Sequence, residues 1–178
     1  MVIETTRFGS ITVPEIDVVT FPEGMLGFSK IDQYVLVEGA DVSLFIWLQA
    51  IKKGSVAFPL LEPQIFEPSF KIDLMDDDRK VLKMDSLEHA KVFSIVTIPS
   101  DPTKMTANLK APIVLNCKTR LARQVILHNL DYPIRMPIYT QLQRHCSTSS
   151  RTIFPEDDVP QYQAVHLADE LPDTLTAL

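Results

Sequence analysis

Apolar residues in this chain come in short runs, most of them stopped by proline, glycine or an acidic residue before a helical period is established. Ile11-Thr12-Val13 and Asp17-Val18-Val19-Thr20 flank Pro14 and predict two short strands or one broken edge. Tyr34-Val35-Leu36-Val37 predicts a strand, with a turn at Glu38-Gly39-Ala40-Asp41. Ser43 to Gln49 is a strongly apolar strand, with Trp47 as a core anchor or a binding aromatic. Val56 to Leu61 is another, and Pro59 in it favours an edge or a bulge. Phe70-Lys71-Ile72-Asp73-Leu74 alternates apolar and polar, the pattern of a half-buried strand. Lys91 to Ile98 has strand composition and ends at Pro99. Ile113-Val114-Leu115-Asn116 and Gln124-Val125-Ile126-Leu127 predict a hairpin joined across residues 117–123.

Helical signals are brief. Asp76-Asp77-Asp78 ahead of Arg79-Lys80-Val81-Leu82 suits a short helix, acidic at its start and basic a turn later. Ser86 can cap a short turn, Asp101 to Met105 reads as a turn or one helical turn, and a weak helix runs through Leu142. Many short strands with few helices predict an all-β fold, a small closed or partly open β-barrel or roll with short helical turns. Residues 1–143 form the predicted barrel domain. Ser147-Thr148-Ser149-Ser150 and prolines 155, 160 and 172 mark residues 144–178 as an acidic, loosely packed C-terminal extension.

Charge sharpens that division. Residues 1–151 carry 17 basic and 17 acidic side chains, whereas residues 152–178 carry six acidic and none basic, so the formal charge of −6 sits in the tail. A neutral body offers no broad field for a phosphate backbone, and an acidic tail suits a basic protein surface or a solvated terminus. The best positive patch is Lys110, Lys118, Arg120 and Arg123, which leaves direct RNA binding through residues 110–123 as the alternative function. Aromatic stacking residues are missing from that segment. No apolar stretch is long enough to span a bilayer, and Met1-Val2-Ile3-Glu4 does not begin a secretory leader, so the expected location is the cytoplasm, with Cys117 and Cys146 reduced.

Candidate chemistry is thin. His89, His128, His145 and His166 have no partners at metal-binding spacing. His145-Cys146 is the single pairing that invites a nucleophile reading, and neighbours in sequence need not face one another. Asp76 to Asp78 lack the spread of ligands that a calcium loop needs, and Gly24 with Gly27 falls short of a phosphate-binding fingerprint. The expectation is a protein with no catalytic residues, no metal and no cofactor.

Two segments remain. Phe21-Pro22-Glu23-Gly24-Met25-Leu26-Gly27-Phe28 is a compact loop in which Met25, Leu26 and Phe28 either close the barrel end or bind a partner. In Thr106-Ala107-Asn108-Leu109-Lys110-Ala111-Pro112-Ile113-Val114-Leu115-Asn116, Asn108 sets a turn and Ala111-Pro112 leads into a strand. These residues, with Gln124-Val125-Ile126-Leu127 and Tyr132-Pro133-Ile134-Arg135, resemble the bacterial flagellar assembly factor FliW family over about residues 1–143. Met25 stands where that family often has another apolar residue, and residues 144–178 depart from its usual ending.

The resemblance implies a small β-barrel in the bacterial cytoplasm that binds flagellin and CsrA, a small dimeric repressor of translation. In the family, captured CsrA cannot repress flagellin messenger RNA, and new flagellin competes for the same factor. No cofactor, membrane or direct nucleic-acid contact is implied, and the protein itself is expected to be a monomer. The protein-binding candidates are Met25, Leu26, Phe28, Asn108, Leu109 and Lys110, with the loop and the 106–110 turn expected close together.

Overall fold

The computed structural model describes residues 1–39, 43–128, 131–154 and 162–167. Strands β1 (Val2–Thr5) and β2 (Gly9–Thr12) form an antiparallel hairpin of their own. Then come β3 (Val18–Thr20), β4 (Gln33–Gly39), β5 (Ile46–Ala50), β6 (Ala57–Leu61) and β7 (Ala90–Thr97). The short β8 (Thr106–Ala107) precedes β9 (Ile113–Asn116) and β10 (Leu121–Gln124), followed by β11 (Met136–Pro137) and β12 (Tyr162–Ala164). The α-helices are α1 (Asp76–Leu82) and α2 (Tyr139–Thr148).

Among the described residues, seven strands close into a barrel in the order β3-β4-β5-β6-β7-β9-β10. The ring is completed by a single parallel pair, Leu121 with Thr20, while its other pairings are antiparallel. Closure satisfies strand edges that an open sheet would expose. Strand β12 pairs with Val37 to Gly39 of β4, the part of that strand that β3 leaves uncovered.

The two-residue period of the strands builds three packed clusters. Tyr34, Leu36, Leu48, Leu60, Phe93, Ile113 and Leu115 fill the barrel interior around Phe21. Their neighbours Val35 and Val37 point outward and are covered by Ile3 and Ile11 of the first hairpin. On another outer face, Leu61, Val96, Ala107 and Val114 pack against Phe66, Phe70, Leu82 and Leu142. Each such fully buried side chain contributes roughly 1.5–3 kcal/mol of transfer free energy.

Several elements differ from the sequence expectation. Phe70 to Leu74 has the predicted alternation, with Phe70 and Leu74 buried and Lys71 and Asp73 exposed, yet it forms no strand. Among the described residues no strand pairs with it, and the Lys71 amide donates instead to the Tyr132 hydroxyl at 3.0 Å. The hairpin after Ile113 pairs Leu121–Gln124, with its turn at residues 117–120. Val125 N–H to Pro112 O and Leu127 N–H to Lys110 O continue the same register, so the expected 124–127 partner is the tail of that ladder. Strand β5 begins at Ile46, not Ser43, because the Ser43 hydroxyl turns back to accept from the Phe45 amide at 3.2 Å. The short turn expected after Ser86 does form, closed by the Ala90 amide donating to Leu87 O at 3.0 Å.

The weak helix expected through Leu142 extends to Thr148, so the expected division at residue 143 falls inside α2. Within the expected loose extension, Tyr162–Ala164 form strand β12, Val165 and Leu167 are buried, and the His166 ring nitrogen Nδ1 lies 2.9 Å from the buried Asp17 carboxylate. The six acidic residues of the tail and the end of the Glu38–Asp41 turn lie outside the described residues.

Candidate protein-binding site

The loop between β3 and β4 is built on two glycines in the left-handed region, Gly24 at φ +69° and Gly27 at φ +80°. At Gly24 the requirement is also steric: a Cβ would stand 2.6 Å from the Ser29 Cα. These turns drop Met25 into the barrel interior and lift Leu26 out. Phe28 lies half-buried, edge-on to Phe58 with ring centroids 5.0 Å apart. The loop therefore closes the barrel end and presents a surface at once, joining two readings that the sequence left as alternatives.

Gln124 links this loop to the second segment. Its Oε1 accepts from the Leu26 amide at 3.1 Å, and its Nε2 donates to the Ala111 carbonyl at 3.2 Å. Asn108 sets its turn by accepting from the Ala111 amide at 3.0 Å. Leu109 is buried in the outer core, and Asn108 and Lys110 are half-buried. Of the six sequence candidates, Met25 and Leu109 are thus anchors beneath the surface, Asn108 shapes it, and Leu26, Phe28 and Lys110 reach it.

Sequence reasoning missed the groups that surround Leu26. A cleft of about 490 Å³ runs from Glu23–Ser29 to Met75, Asp77, Asp78, Arg123, Gln124, Ile126 and His128. Leu26, Met75 and Ile126 are 58%, 49% and 40% exposed, unusual for large apolar side chains sharing one hollow. They come from three separated parts of the chain, so no local pattern gathers them. The acidic run that opens α1 was visible in sequence, and its partner was not.

That partner is Arg123. Its guanidinium contacts Glu23 at 3.0 Å, Asp77 at 2.8 Å and Asp78 at 3.1 Å, and only 19% of the side chain is exposed. Burial lowers its pKa, but the hydrogen bond to Asp77 and the charges of Glu23, Asp78 and Asp77 outweigh it and hold the group above its ordinary value. Asp78 also accepts from the Met75 amide at 3.0 Å, which fixes the start of α1. One guanidinium against three carboxylates leaves the hollow with two negative charges at neutral pH. The 110–123 segment is therefore not a free basic patch, because Arg123 is neutralised from three sides.

Among the described residues, no group of three or more His, Cys, Asp or Glu side chains converges to hold a metal. Cys146 packs beside the outer core, and burial pushes its thiol up, away from the thiolate that a nucleophile requires. Burial likewise raises Cys117, against the opposing effect of Lys91 and Arg120. No helix among the described residues is long and apolar enough to cross a membrane.

The family model described as FliW protein matches residues 2–138. The chain belongs to the FliW family. It is 46% identical over 144 residues to the flagellar assembly factor FliW of Bdellovibrio bacteriovorus, an alignment covering 81% of this chain and 82% of that protein. It is 36% identical over 145 residues to the flagellar assembly factor FliW of Ruminiclostridium cellulolyticum, covering 81% of this chain and 98% of the relative. A crystal structure of the flagellar assembly factor FliW superposes with a TM-score of 0.72 at 34% identity, covering 78% of this chain and 97% of that one. The FliW match contains the Glu23–Phe28 loop, Arg123 and the Asn108 turn, and it ends at Ile138, where α2 begins.

Proposed function

We propose that this chain is a cytoplasmic flagellar assembly factor that binds flagellin and the translational repressor CsrA, acting as a monomer without cofactor. Capture of CsrA relieves repression of flagellin translation, and flagellin competes for the factor, so synthesis follows filament assembly. The physical logic is linked equilibria, in which each partner sets the free concentration available to the other. Relatives named as flagellar assembly factors along most of the chain support this reading.

The observation that carries the site is the exposed apolar set Leu26, Met75 and Ile126 beside a net-negative Arg123 cluster. Such a patch suits a partner with an apolar anchor and a basic rim. In this reading Leu26, Phe28 and Lys110 touch a partner, while Met25, Asn108 and Leu109 hold them in place. The test mixes purified protein with flagellin and with CsrA and measures complexes by calorimetry. Stoichiometric complexes are expected, with Leu26→Asp and Ile126→Asp weakening at least one of them while the melting temperature holds. No complex with either partner at micromolar concentration sinks the function; normal binding by both folded variants removes the site.

A further inference from the structure

Pro59 sits in β6 with a barrel strand on either side, a place that proline rarely takes. The Ala50 amide donates to Val56 O, and antiparallel alternation then turns the backbone groups of Phe58 and Leu60 toward β5 and those of Ala57, Pro59 and Leu61 toward β7. On β7, the Ile95 carbonyl accepts from Asn108, so Ser94, Val96 and the following Ile98 face β6. The register between β6 and β7 stops at Leu60 with Ile95. The next return bond needs an N–H on Pro59 to meet the Val96 carbonyl, and proline has none. Beyond that point no further bridge joins the two strands among the described residues.

Between them opens a groove of about 620 Å³, walled by Phe45, Trp47, Phe58, Ile95, Phe154 and Tyr162 among others. Among the described residues, Arg7 is the one charged side chain that lines it. Its guanidinium lies 4.2 Å over the Trp47 ring, with no carboxylate paired to it among the described residues. By that alternation the Val96 carbonyl and the backbone groups of Ile98 and Ala57 turn toward this space, which all three residues line.

We propose that the groove takes an extended segment of another protein, inserted as a short strand between the parted ends of β6 and β7. Backbone groups of Ala57, Val96 and Ile98 pair with it, the aromatic walls take its alternate side chains, and Arg7 takes a carboxylate where it passes Trp47. The charge selects the occupant: a cation over an aromatic wall, with no acid lining the groove among the described residues, favours an acidic-apolar segment over a basic one. This surface is separate from the Leu26 hollow and does not depend on the function proposed for it.

Trp47 is the only tryptophan of the chain, so its fluorescence reports occupancy directly. The probe is a blocked seven-residue peptide alternating valine and threonine and ending in glutamate, with a lysine-ended version as control, titrated into the full chain. The expected result is a saturable change in Trp47 emission with slowed hydrogen exchange at the Ile98 and Ala57 amides, and binding of the lysine version roughly threefold to tenfold weaker. Arg7→Gln should remove that preference. Pro59→Val should restore the missing donor, close the strands, protect the same amides without peptide and abolish binding. Equal affinity for both peptides, or no change at Trp47 and the two amides, overturns the proposal. Amides already protected before peptide assign the groove to the chain itself, or to a second copy if protection rises with protein concentration, and either outcome overturns it.

Discussion

Replacing Arg123 by methionine keeps the length of its apolar stem and removes the charge that gathers three carboxylates. Their contributions are unequal. Glu23 and Asp77 are 55% and 74% exposed, so each loses an interaction of the surface type, about 0–1 kcal/mol. Asp78 is 10% exposed, and stranding a buried carboxylate costs about 3–5 kcal/mol when no other donor remains. The Met75 amide does remain, which moderates that figure. A total loss of roughly 2–4 kcal/mol is expected, read as a lower denaturant midpoint at unchanged slope. Double-mutant cycles apportion it: coupling of Arg123 with Asp78 should exceed about 1 kcal/mol, and coupling with Glu23 should stay near 0.5 kcal/mol or less. A loss under about 1 kcal/mol, or a larger coupling to Glu23 than to Asp78, would refute the argument from burial.

Gly24→Ala should cost roughly 2–4 kcal/mol, since its Cβ meets Ser29 backbone at 2.6 Å in a left-handed conformation, whereas Gly27→Ala meets nothing within 4 Å and should cost about 1 kcal/mol; equal losses in thermal melts would contradict this. Tyr34 is fully buried with no hydrogen-bond partner for its hydroxyl among the described residues, so Tyr34→Phe should be neutral or stabilising by up to about 1 kcal/mol. Burial, with help from Asp32, pushes the Tyr34 phenol up from 10.0 to about 12. The folded chain therefore keeps this proton after the unfolded chain has lost it, and stability should fall between pH 10 and 12 by at most about 1.4 kcal/mol per unit, a slope that Tyr34→Phe removes. His166→Ala strips the buried Asp17 carboxylate of its nearest partner and should cost about 1–3 kcal/mol by calorimetry, while no change would mean that His166 does not hold the C-terminal segment.

The barrel was legible because its strands carry their own period. Tyr34 to Val37 alternates between two buried clusters, and Ile113 to Asn116 enters a strand from a turn that the Asn108 side chain caps. Phe70 to Leu74 shows the limit of that signal: its alternation reports which residues are buried, while a strand also needs a neighbour at hydrogen-bonding distance. The candidate loop was legible for a local reason too, since Gly24 and Gly27 advertise a backbone that other residues resist. Its surroundings were not. Met75, Arg123 and Ile126 reach Leu26 only through the closure of the sheet, and Arg123 read from sequence belonged to a basic patch until Glu23, Asp77 and Asp78 were placed around it.

The site and the barrel's weakest seam are one piece of structure. Strand β10 meets β3 at a single parallel pair, Leu121 with Thr20, supported by the Thr20 amide donating to Arg120 O at 2.9 Å. Immediately beyond, Arg123 ties β10 to Glu23, and Gln124 ties it to Leu26. Leu26 belongs to one side of that seam and Ile126 to the other, so a partner covering both bridges the closure itself. Binding of this kind should stabilise the seam in proportion to occupancy. Hydrogen exchange at the Thr20 amide should then slow on addition of a saturating partner, more than at Leu48, which is paired on both sides, with Leu36 and with Phe58. Equal slowing at both amides would mean that the partner stabilises the whole barrel without bridging its closure.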